Sequence, residues 1–252
     1  MDRGKVVDKG AIQIKEKSAK THKGPVCHID ARTTSERSFR SRRVAARLAA
    51  GVSLANLISV NIGFLGGRFD PVHLGHLGAA QDALAQHNLD RLVFVPTAQV
   101  PHQSQRIHAP GGDRLAMLRL AISSQTQFEI SEFELGQSGA SFTIDSVRHF
   151  QRLHPNDRLF WIIGGDRLGR LHDWKDIGEL ARLAEFIVLT RPGHPRQSAG
   201  DVPGLRLHDC SNRAVEISST ELRERVRRGL PLDGLVPDSV AAHIARSGLY
   251  KG

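Results

Sequence analysis

The sequence predicts a doubly wound α/β domain, in which helices cover both faces of a parallel sheet. Two observations lead to this prediction. Short apolar runs alternate with helix-like stretches from about residue 58 to the end of the chain. The runs are almost wholly apolar, which is typical of parallel strands that are buried on both faces. Alternating strands and helices of this kind favour a layered α/β architecture.

Each expected element follows from its own stretch of sequence. The strands are the apolar runs at 59–65, 91–96, 127–131, 158–163, 185–190 and 205–209. The helices are the stretches near 74–87, 113–124, 143–153 and 176–183, with two closing helices near 219–229 and 237–247. No internal repeat is evident, so a repeat architecture is not expected.

By composition the chain divides into a basic leader, residues 1–57, and a patterned domain, residues 58–252. Residues 1–50 hold 13 Lys and Arg against 5 Asp and Glu, whereas the rest of the chain holds 22 against 21. The leader has little apolar periodicity and is expected to be disordered, although residues 38–50 have the pattern of one short basic amphipathic helix. Because the leader carries +8 of the net charge of +9, no nucleic-acid partner is expected for the domain.

The cysteines and the hydropathy pattern restrict the class of protein further. Cys27 and Cys210 form no CxxC or Cys/His cluster, which favours a reducing, cytoplasmic setting. No apolar run approaches the roughly 18–20 residues that a membrane helix needs, and the N-terminus lacks the apolar core of a signal peptide. We therefore expect a cytoplasmic protein with no membrane partner, and the sequence leaves its oligomeric state open.

The stretch GGRFDPVHLGH, directly after the first strand, carries the strongest chemical signal. In doubly wound sheets, ligands bind where the first βα turn meets a helix N-terminus. Gly66 and Gly67 are expected at that turn, where glycine permits positive φ and a close approach to a ligand, and Pro71 fits the first helical turn. His73 and His76 then share one face at the positive end of the helix. Two imidazole donors beside backbone N–H groups favour binding of phosphate oxygens.

Other interpretations of this stretch are weaker or stay open. The chain has no GxxxxGK[ST] and no GxGxxG at this position, which excludes a Walker loop and a dinucleotide fingerprint. Zinc binding by His73 and His76 stays open, although no third ligand is evident in the sequence. A purely structural role for either histidine also stays open.

A second motif lies near the C-terminus, where residues 217–223 read ISSTELR. Ser218, Ser219 and Thr220 are typical helix caps, and such a helix directs its first N–H groups at an anion. Arg223, one turn further along, has the fork geometry that binds phosphate oxygens. Taken alone, the motif is also consistent with an ordinary N-cap.

Together, the two motifs resemble the signatures of the HxGH nucleotidyltransferase superfamily, which is related to class I aminoacyl-tRNA synthetases. Further segments narrow the resemblance to the bacterial nicotinate-nucleotide adenylyltransferase family. In chain order they are VPH (100–102) for its PPH loop, SFTIDSV (141–147) for SYT-x-x-T-L, FWIIGGDRL (160–168) with Trp174 for FIIG-x-D…W, LTRPG (189–193) for V-x-x-RPG, and LVPDSV…SGLY (235–250) for its ending. The resemblance spans roughly residues 60–250 and implies a Rossmann-like nucleotidyltransferase fold.

The resemblance implies that the adenylyl group of ATP is transferred to nicotinate mononucleotide in NAD biosynthesis, with release of pyrophosphate. It implies catalytic roles for His73, His76 and Arg223, and ATP contacts from Gly66, Gly67, Phe69, Ser218, Ser219, Thr220 and Arg223. The mononucleotide contacts that it implies come from His102, Thr143, Asp166, Trp174 and Arg191. Asp166 is also consistent with an N-cap, and Trp174 with a core residue. Mg²⁺ is expected to arrive on the triphosphate, so no protein metal site is expected.

Two positions depart from the family pattern. Arg68 stands where the family usually has Thr or Ser, and Gln103 stands where it usually has Lys or Arg. We expect the cationic charge to be redistributed onto Arg68 or Arg106. Two other functions stay open: transfer to nicotinamide mononucleotide or phosphopantetheine, and a non-enzymatic nucleotide or RNA-binding role that uses the basic leader.

Overall fold

The computed structural model describes residues 59–98, 107–190, 197–212 and 217–251. The leader lies outside these ranges, so its disorder stays a prediction. The described strands are β1 (Asn61–Gly67), β2 (Arg91–Pro96), β3 (Phe128–Ile130), β4 (Arg158–Gly164), β5 (Glu185–Thr190) and β6 (Leu207–Ser211). The helices are α1 (Leu74–Gln86), α2 (Gly111–Ile122), α3 (Thr143–Leu153), α4 (Gly165–Leu168), α5 (Ile177–Leu183), α6 (Ser219–Arg227) and α7 (Asp238–Arg246), with a 3₁₀ turn at Leu171–Asp173.

The strands form one parallel sheet in the order β3-β2-β1-β4-β5-β6. The chain starts in the middle of the sheet, builds one half outward, and then returns past β1 to build the other half. Leu65 of β1 therefore lies opposite Phe94 of β2 on one side and Ile162 of β4 on the other. The direction of winding changes between β1 and β4, and in such sheets the ligand site lies beyond the C-terminal ends of those strands.

Two separate cores lie on the two faces of the sheet. On β4, Phe160 and Ile162 enter one core, whereas Trp161 and Ile163 enter the other. Residues of α1, α2, α6 and α7 complete the first core, and residues of α3 and α5 complete the second. Because both faces are dry, the strands carry few polar residues, which explains the apolar runs in the sequence.

The predicted doubly wound α/β fold is confirmed, and each strand and helix expected between residues 58 and 252 is present within a few residues of its expected range. The short helix expected at 38–50 lies outside the described residues. The pattern does not reveal α4 or the 3₁₀ turn, because elements this short show no hydrophobic period. Pro71 lies just before α1, which begins at Leu74, and is therefore near the first helical turn as expected. No helix in the described part of the chain is long and apolar enough to cross a membrane.

Candidate active site

The two glycines at the end of β1 make room for aromatic rings. Gly66 and Gly67 belong to the strand, and neither has positive φ. A Cβ on Gly66 would lie 2.9 Å from Cζ2 of Trp161, and a Cβ on Gly67 would lie 2.9 Å from Cζ of Phe69. The left-handed residue is Phe69 itself, with φ 48°. The expected positive φ at the glycines is therefore wrong, and close packing is what requires glycine there.

The buried ring of Phe69 supports the second histidine of the motif. Its centroid lies 5.6 Å from the ring of Phe94 and 5.1 Å from the ring of His76, with both contacts edge-on. Because the side chain of Phe69 is almost wholly buried, it is in a position to order His76, while its expected contact with ATP stays a prediction.

His73 and His76 form a pair at the start of α1, as the sequence predicts. His73 is the N-cap and His76 the third residue of the helix. Nδ1 of His76 accepts the backbone N–H of His73 at 3.3 Å, and the ring centroids lie 3.7 Å apart. The reciprocal contact, from the backbone N–H of His76 to the ring of His73, completes a capping box. A neutral imidazole that accepts at Nδ1 carries its proton at Nε2, so this box makes Nε2 of His76 an N–H donor.

The first turn of α1 also uses some of its backbone N–H groups within the protein. Leu74 N–H donates to the carbonyl of Leu235 at 3.0 Å, and His76 N–H lies 2.9 Å from the carbonyl of His73. These backbone N–H groups are therefore already used, and the imidazole rings are the main candidate donors to a ligand at the start of α1.

Asp70, between the glycines and the histidines, is a buried hydrogen-bond centre. Its carboxylate is 2% exposed. Oδ2 accepts the N–H of His108 at 2.7 Å, while Oδ1 accepts the N–H of Ala109 at 3.0 Å and the hydroxyl of Tyr250 at 2.8 Å. Three donors from two distant parts of the chain thus converge on one side chain of the motif.

Three side chains hold backbone carbonyl groups of the same loop. Nη1 of Arg114 donates to the carbonyl of Arg68 at 2.8 Å, and Nη1 of Arg223 donates to the carbonyl of Asp70 at 2.7 Å. The hydroxyl of Ser219 donates to the carbonyl of Pro71 at 3.0 Å. Side chains from α2 and α6 therefore fix the backbone that leads into the histidine pair.

The ISSTELR motif starts α6 next to this loop. Ser218 is its N-cap and accepts the N–H of Glu221 at 3.1 Å. Thr220 accepts Nη2 of Arg223 at 3.1 Å. Arg223 is almost wholly buried, and its guanidinium group donates hydrogen bonds to the carbonyl of Asp70 and the hydroxyl of Thr220. It therefore does not extend outward from the protein. The structure thus brings the two motifs into direct contact, although they are about 150 residues apart.

Guanidinium groups concentrate positive charge around the loop. Burial lowers the pKa of Arg114, and the nearby charge of Asp70 opposes that shift. The pKa of Arg68 is lowered first by burial and then by the charges of Arg223 and Arg167, again opposed by Asp70. The guanidinium groups of Arg114 and Arg68 nevertheless stay charged at neutral pH. A site that disfavours its own cations in this way stabilises an incoming anion.

Thr143, one of the residues expected to contact the mononucleotide, is the first residue of α3, as the sequence predicts. Its preceding residue, Phe142, lies under the ammonium group of Lys175, which is 4.5 Å from the ring centroid. The same ammonium group lies 3.7 Å from Oδ2 of Asp145. Lys175 therefore connects the start of α3 to the segment that contains Trp174.

Trp174 and Asp166 occupy different environments. Trp174 is half-buried, packs against the second core, and meets the ring of Phe186 edge-on at 6.3 Å. It is therefore partly a core residue, with one part of the ring accessible. Asp166 is exposed and is the second residue of α4, whose N-cap is Gly164, so the alternative N-cap role is wrong. Because α4 follows β4 directly, Asp166 lies at the same edge of the sheet as the end of β1.

Glu134 is a buried carboxyl group beneath the start of α3. Its Oε1 accepts the hydroxyl of Ser146 at 2.6 Å, and the Ser141 hydroxyl lies near the same carboxyl group. Its Oε2 is buried without a hydrogen-bond partner among the described residues. Burial raises the pKa of Glu134, while the two serine hydroxyls oppose that shift.

Comparison with known proteins places these features in a family. The cytidylyltransferase-like family model matches residues 64–225. A probable nicotinate-nucleotide adenylyltransferase of Opitutus terrae is 52% identical over 192 residues, covering 76% of this chain and 98% of the relative. One from Saccharopolyspora erythraea is 40% identical over 192 residues, covering 76% and 90%.

The chain belongs to the nicotinate-nucleotide adenylyltransferase family. Among solved structures, a Plasmodium falciparum nicotinic acid mononucleotide adenylyltransferase complexed with NaAD is similar, with a TM-score of 0.60 and 19% identity. It covers 76% of this chain and 97% of its own length. A putative nicotinate-nucleotide adenylyltransferase from Vibrio parahaemolyticus has a TM-score of 0.55 and 16% identity, covering 76% and 96%. At these identities the structures support the shared fold alone.

Some family residues lie outside the described ranges. They are His102, Gln103, Arg106 and Arg191, so their expected contacts stay predictions. Within the described ranges, no three His, Cys, Asp or Glu side chains lie close enough together to hold a metal ion. The described residues therefore offer no third ligand for a zinc ion bound by His73 and His76.

Sequence reasoning did not find several residues that shape the site. They are Asp70, Arg114, Glu134, Lys175 and Tyr250. Asp70 and Tyr250 lie inside segments that carry the family resemblance, but the resemblance assigned no role to either residue. Their partnership joins residues 180 positions apart, and no local spacing indicates such a contact.

Proposed function

We propose that this chain joins ATP and nicotinate mononucleotide into deamido-NAD and pyrophosphate, with His73, His76 and Arg223 at the phosphate end of the site. The observation that carries the proposal is the direct contact between the two phosphate motifs, through Arg223 with Asp70 and Ser219 with Pro71. The family membership supports the same reaction.

The reaction needs alignment and charge neutralisation more than proton transfer. A phosphate oxygen of the mononucleotide attacks the α-phosphorus of ATP. The new P–O bond forms as the bond to the bridging oxygen of pyrophosphate breaks, and that oxygen leaves with the electron pair. Since a phosphate monoester has a second pKa of about 6, the nucleophile is largely dianionic at neutral pH and needs no general base. Catalysis then depends on position and on stabilising the charge of the transition state.

The phosphate end supplies donors in fixed positions for that charge. The capping box keeps the proton of His76 on Nε2, where it donates to a phosphate oxygen, and the stacked ring of His73 holds His76 in place. The N-terminus of α6 adds its helix dipole. Arg223 adds charge from beneath while it keeps its partners on Asp70 and Thr220.

At the acceptor end, the start of α3 and Trp174 suit a pyridinium ring that carries a carboxylate group. The first N–H groups of a helix favour a carboxylate, and Thr143 stands at that start. The accessible part of Trp174 provides a surface for stacking. Lys175 ties the two together by its contacts with Phe142 and Asp145.

In this proposal Mg²⁺ arrives bound to ATP, because the side chains at the phosphate end are hydrogen-bond donors and do not coordinate a cation. Asp70 is the carboxylate of that loop, and both its oxygens already accept hydrogen bonds. Mg²⁺ commonly binds through substrate phosphates and water, with one or two protein carboxylates. Mg²⁺ bound to the triphosphate would offset part of its negative charge.

Pyrophosphate release by the purified chain tests the proposal. Reactions contain ATP, Mg²⁺ and one acceptor in turn: nicotinate mononucleotide, nicotinamide mononucleotide or phosphopantetheine. We expect the highest kcat/KM with nicotinate mononucleotide. If another acceptor is used more efficiently, the assigned substrate is wrong. If no acceptor yields pyrophosphate, while the chain binds RNA in a salt-dependent manner that survives loss of both histidines, the binding-protein alternative replaces the enzyme. The cytoplasmic location stays a prediction.

A further inference from the structure

The last turn of the described chain reaches back to the phosphate loop. After α7, Gly248 and Tyr250 both adopt left-handed backbone conformations, with φ 63° and 64°. Leu249 N–H donates to the carbonyl of Ile244 at 3.1 Å, and the Leu249 side chain packs against the first core. This tight turn directs the Tyr250 hydroxyl at Oδ1 of Asp70, 2.8 Å away. A non-glycine residue rarely adopts positive φ, so the turn is held by its surroundings.

The Tyr250 hydroxyl is a persistent donor at this position. Burial raises its pKa well above the ordinary value, and the neighbouring charge of Asp70 raises it further. Arg223 and Arg114 oppose the shift. The phenol therefore stays protonated and keeps donating to the carboxylate across the neutral range.

Asp70 connects that hydroxyl to the groups that face phosphate. Its carboxylate is fixed by Tyr250, His108 and Ala109, while its own carbonyl receives Arg223. Side chain and carbonyl belong to one residue, so holding the carboxylate also orients the carbonyl that positions Arg223. His73 follows three residues later and caps α1. The C-terminal turn thus shares a rigid connection with both phosphate motifs.

We infer that Tyr250 is a positioning residue for the phosphate groups of ATP, acting through the carboxylate of Asp70. The inference rests on the proposed function, because ATP is the substrate whose phosphates would meet His76 and Arg223. Tyr250 itself touches no reacting atom. Its role differs from simple anchoring of the C-terminus, which the packing of Leu249 already provides.

Two variants of the full chain separate positioning from anchoring. Tyr250→Phe removes only the hydroxyl and keeps the ring in place. Leu249→Ala removes apolar packing from the same turn and leaves the hydroxyl. For each variant we would measure kcat and KM for ATP at saturating nicotinate mononucleotide, KM for the mononucleotide at saturating ATP, and the melting temperature.

For Tyr250→Phe we expect kcat/KM for ATP to fall about tenfold, as for the loss of one hydrogen bond to a charged group. KM for the mononucleotide should change by less than about twofold. Leu249→Ala should lower the melting temperature more and reduce kcat/KM for ATP less. An unchanged kcat/KM for ATP in Tyr250→Phe, or an equal loss in Leu249→Ala, would overturn the inference. Wild-type turnover distinguishes this failure from failure of the proposed reaction.

Discussion

The phosphate end and the acceptor end of the site are held together in different ways. At the phosphate end, Asp70, Arg114 and Arg223 are almost wholly buried, and they fix the loop by direct hydrogen bonds. At the acceptor end, Trp174 is half-buried and Asp166 is exposed. The elements at this end are joined by the ammonium group of Lys175, which lies above the ring of Phe142 and near the carboxylate of Asp145.

The difference follows from what each end must do. Phosphate transfer requires donors placed within a fraction of an ångström, and buried hydrogen bonds give that precision at a desolvation cost. In the proposed function, recognition of the acceptor depends on stacking and on a helix start, which tolerate small displacements. Substitutions at the phosphate end should therefore alter kcat, and those at the acceptor end should alter the choice between acceptors.

The largest effect is expected for His76→Ala. The variant loses the Nε2–H donor and the capping contact to His73. Loss of one transition-state donor costs about 2.7–4 kcal/mol in comparable sites, so kcat should fall by about 10²–10³. Loss of the cap should lower the free energy of unfolding by about 1 kcal/mol. Steady-state kinetics and urea unfolding measure the two effects.

His87→Ala is the matched control for that variant. His87 is the C-cap of the same helix and lies at its opposite end. Its substitution should lower stability while kcat stays close to the wild-type value. Similar kcat values for His76→Ala and His87→Ala would remove His76 from catalysis.

Sequence reasoning reached the phosphate end because its residues stand at short spacings with a physical meaning. His73 and His76 are three apart at a helix start, and Ser218 and Arg223 lie within one and a half turns. The contact between those motifs depends on the order of strands in the sheet, which spacing alone does not determine. Asp70 was not found, because a carboxylate within the motif does not reveal donors that lie up to 180 residues away.

The next largest effect concerns the acceptor. We expect kcat/KM for nicotinate mononucleotide to exceed that for nicotinamide mononucleotide by at least about tenfold. A carboxamide leaves a hydrogen-bonding group at the start of α3 unpaired, which costs about 1–3 kcal/mol. Trp174→Ala should lower kcat/KM for both acceptors by a similar factor, because stacking does not depend on the substituent. Trp174→Phe should retain more of both activities.

Steady-state comparison of the two acceptors in these variants decides the matter. A preference for the acid that survives Trp174→Ala assigns discrimination to the start of α3. A preference that disappears with the ring would assign discrimination to Trp174 and contradict the role of the helix start.

A smaller effect is expected for Arg68→Thr, which restores the residue type usual in the family. Arg68 is half-exposed and lies near Arg223 and Arg167. Removing its charge should raise KM for ATP about twofold to fivefold, the range of a screened pair of about 0.4–1 kcal/mol. The increase should shrink at high salt. Arg170→Thr removes an exposed cation three residues after Arg167 and should leave KM for ATP unchanged. An equal increase in that variant would show a general charge effect.

The smallest effect concerns stability, and it tests whether the acceptor end contains a buried acid that disfavours its own charge. Burial raises the pKa of Glu134 above the ordinary value of 4.5. Between the unfolded and folded pKa values the folded chain binds the extra proton, so this contribution to stability is complete below the unfolded pKa and is lost as pH rises through the folded pKa. Glu134→Gln stays neutral, so its free energy of unfolding relative to wild type should increase from about pH 4 to about pH 7. Glu132→Gln, an exposed change on the same segment that removes a partner of Arg119, should show no such increase. Urea unfolding at both pH values measures the difference. If the free energy of unfolding of Glu134→Gln relative to wild type is the same at both pH values, the acceptor end tolerates a buried charge as well as the phosphate end does.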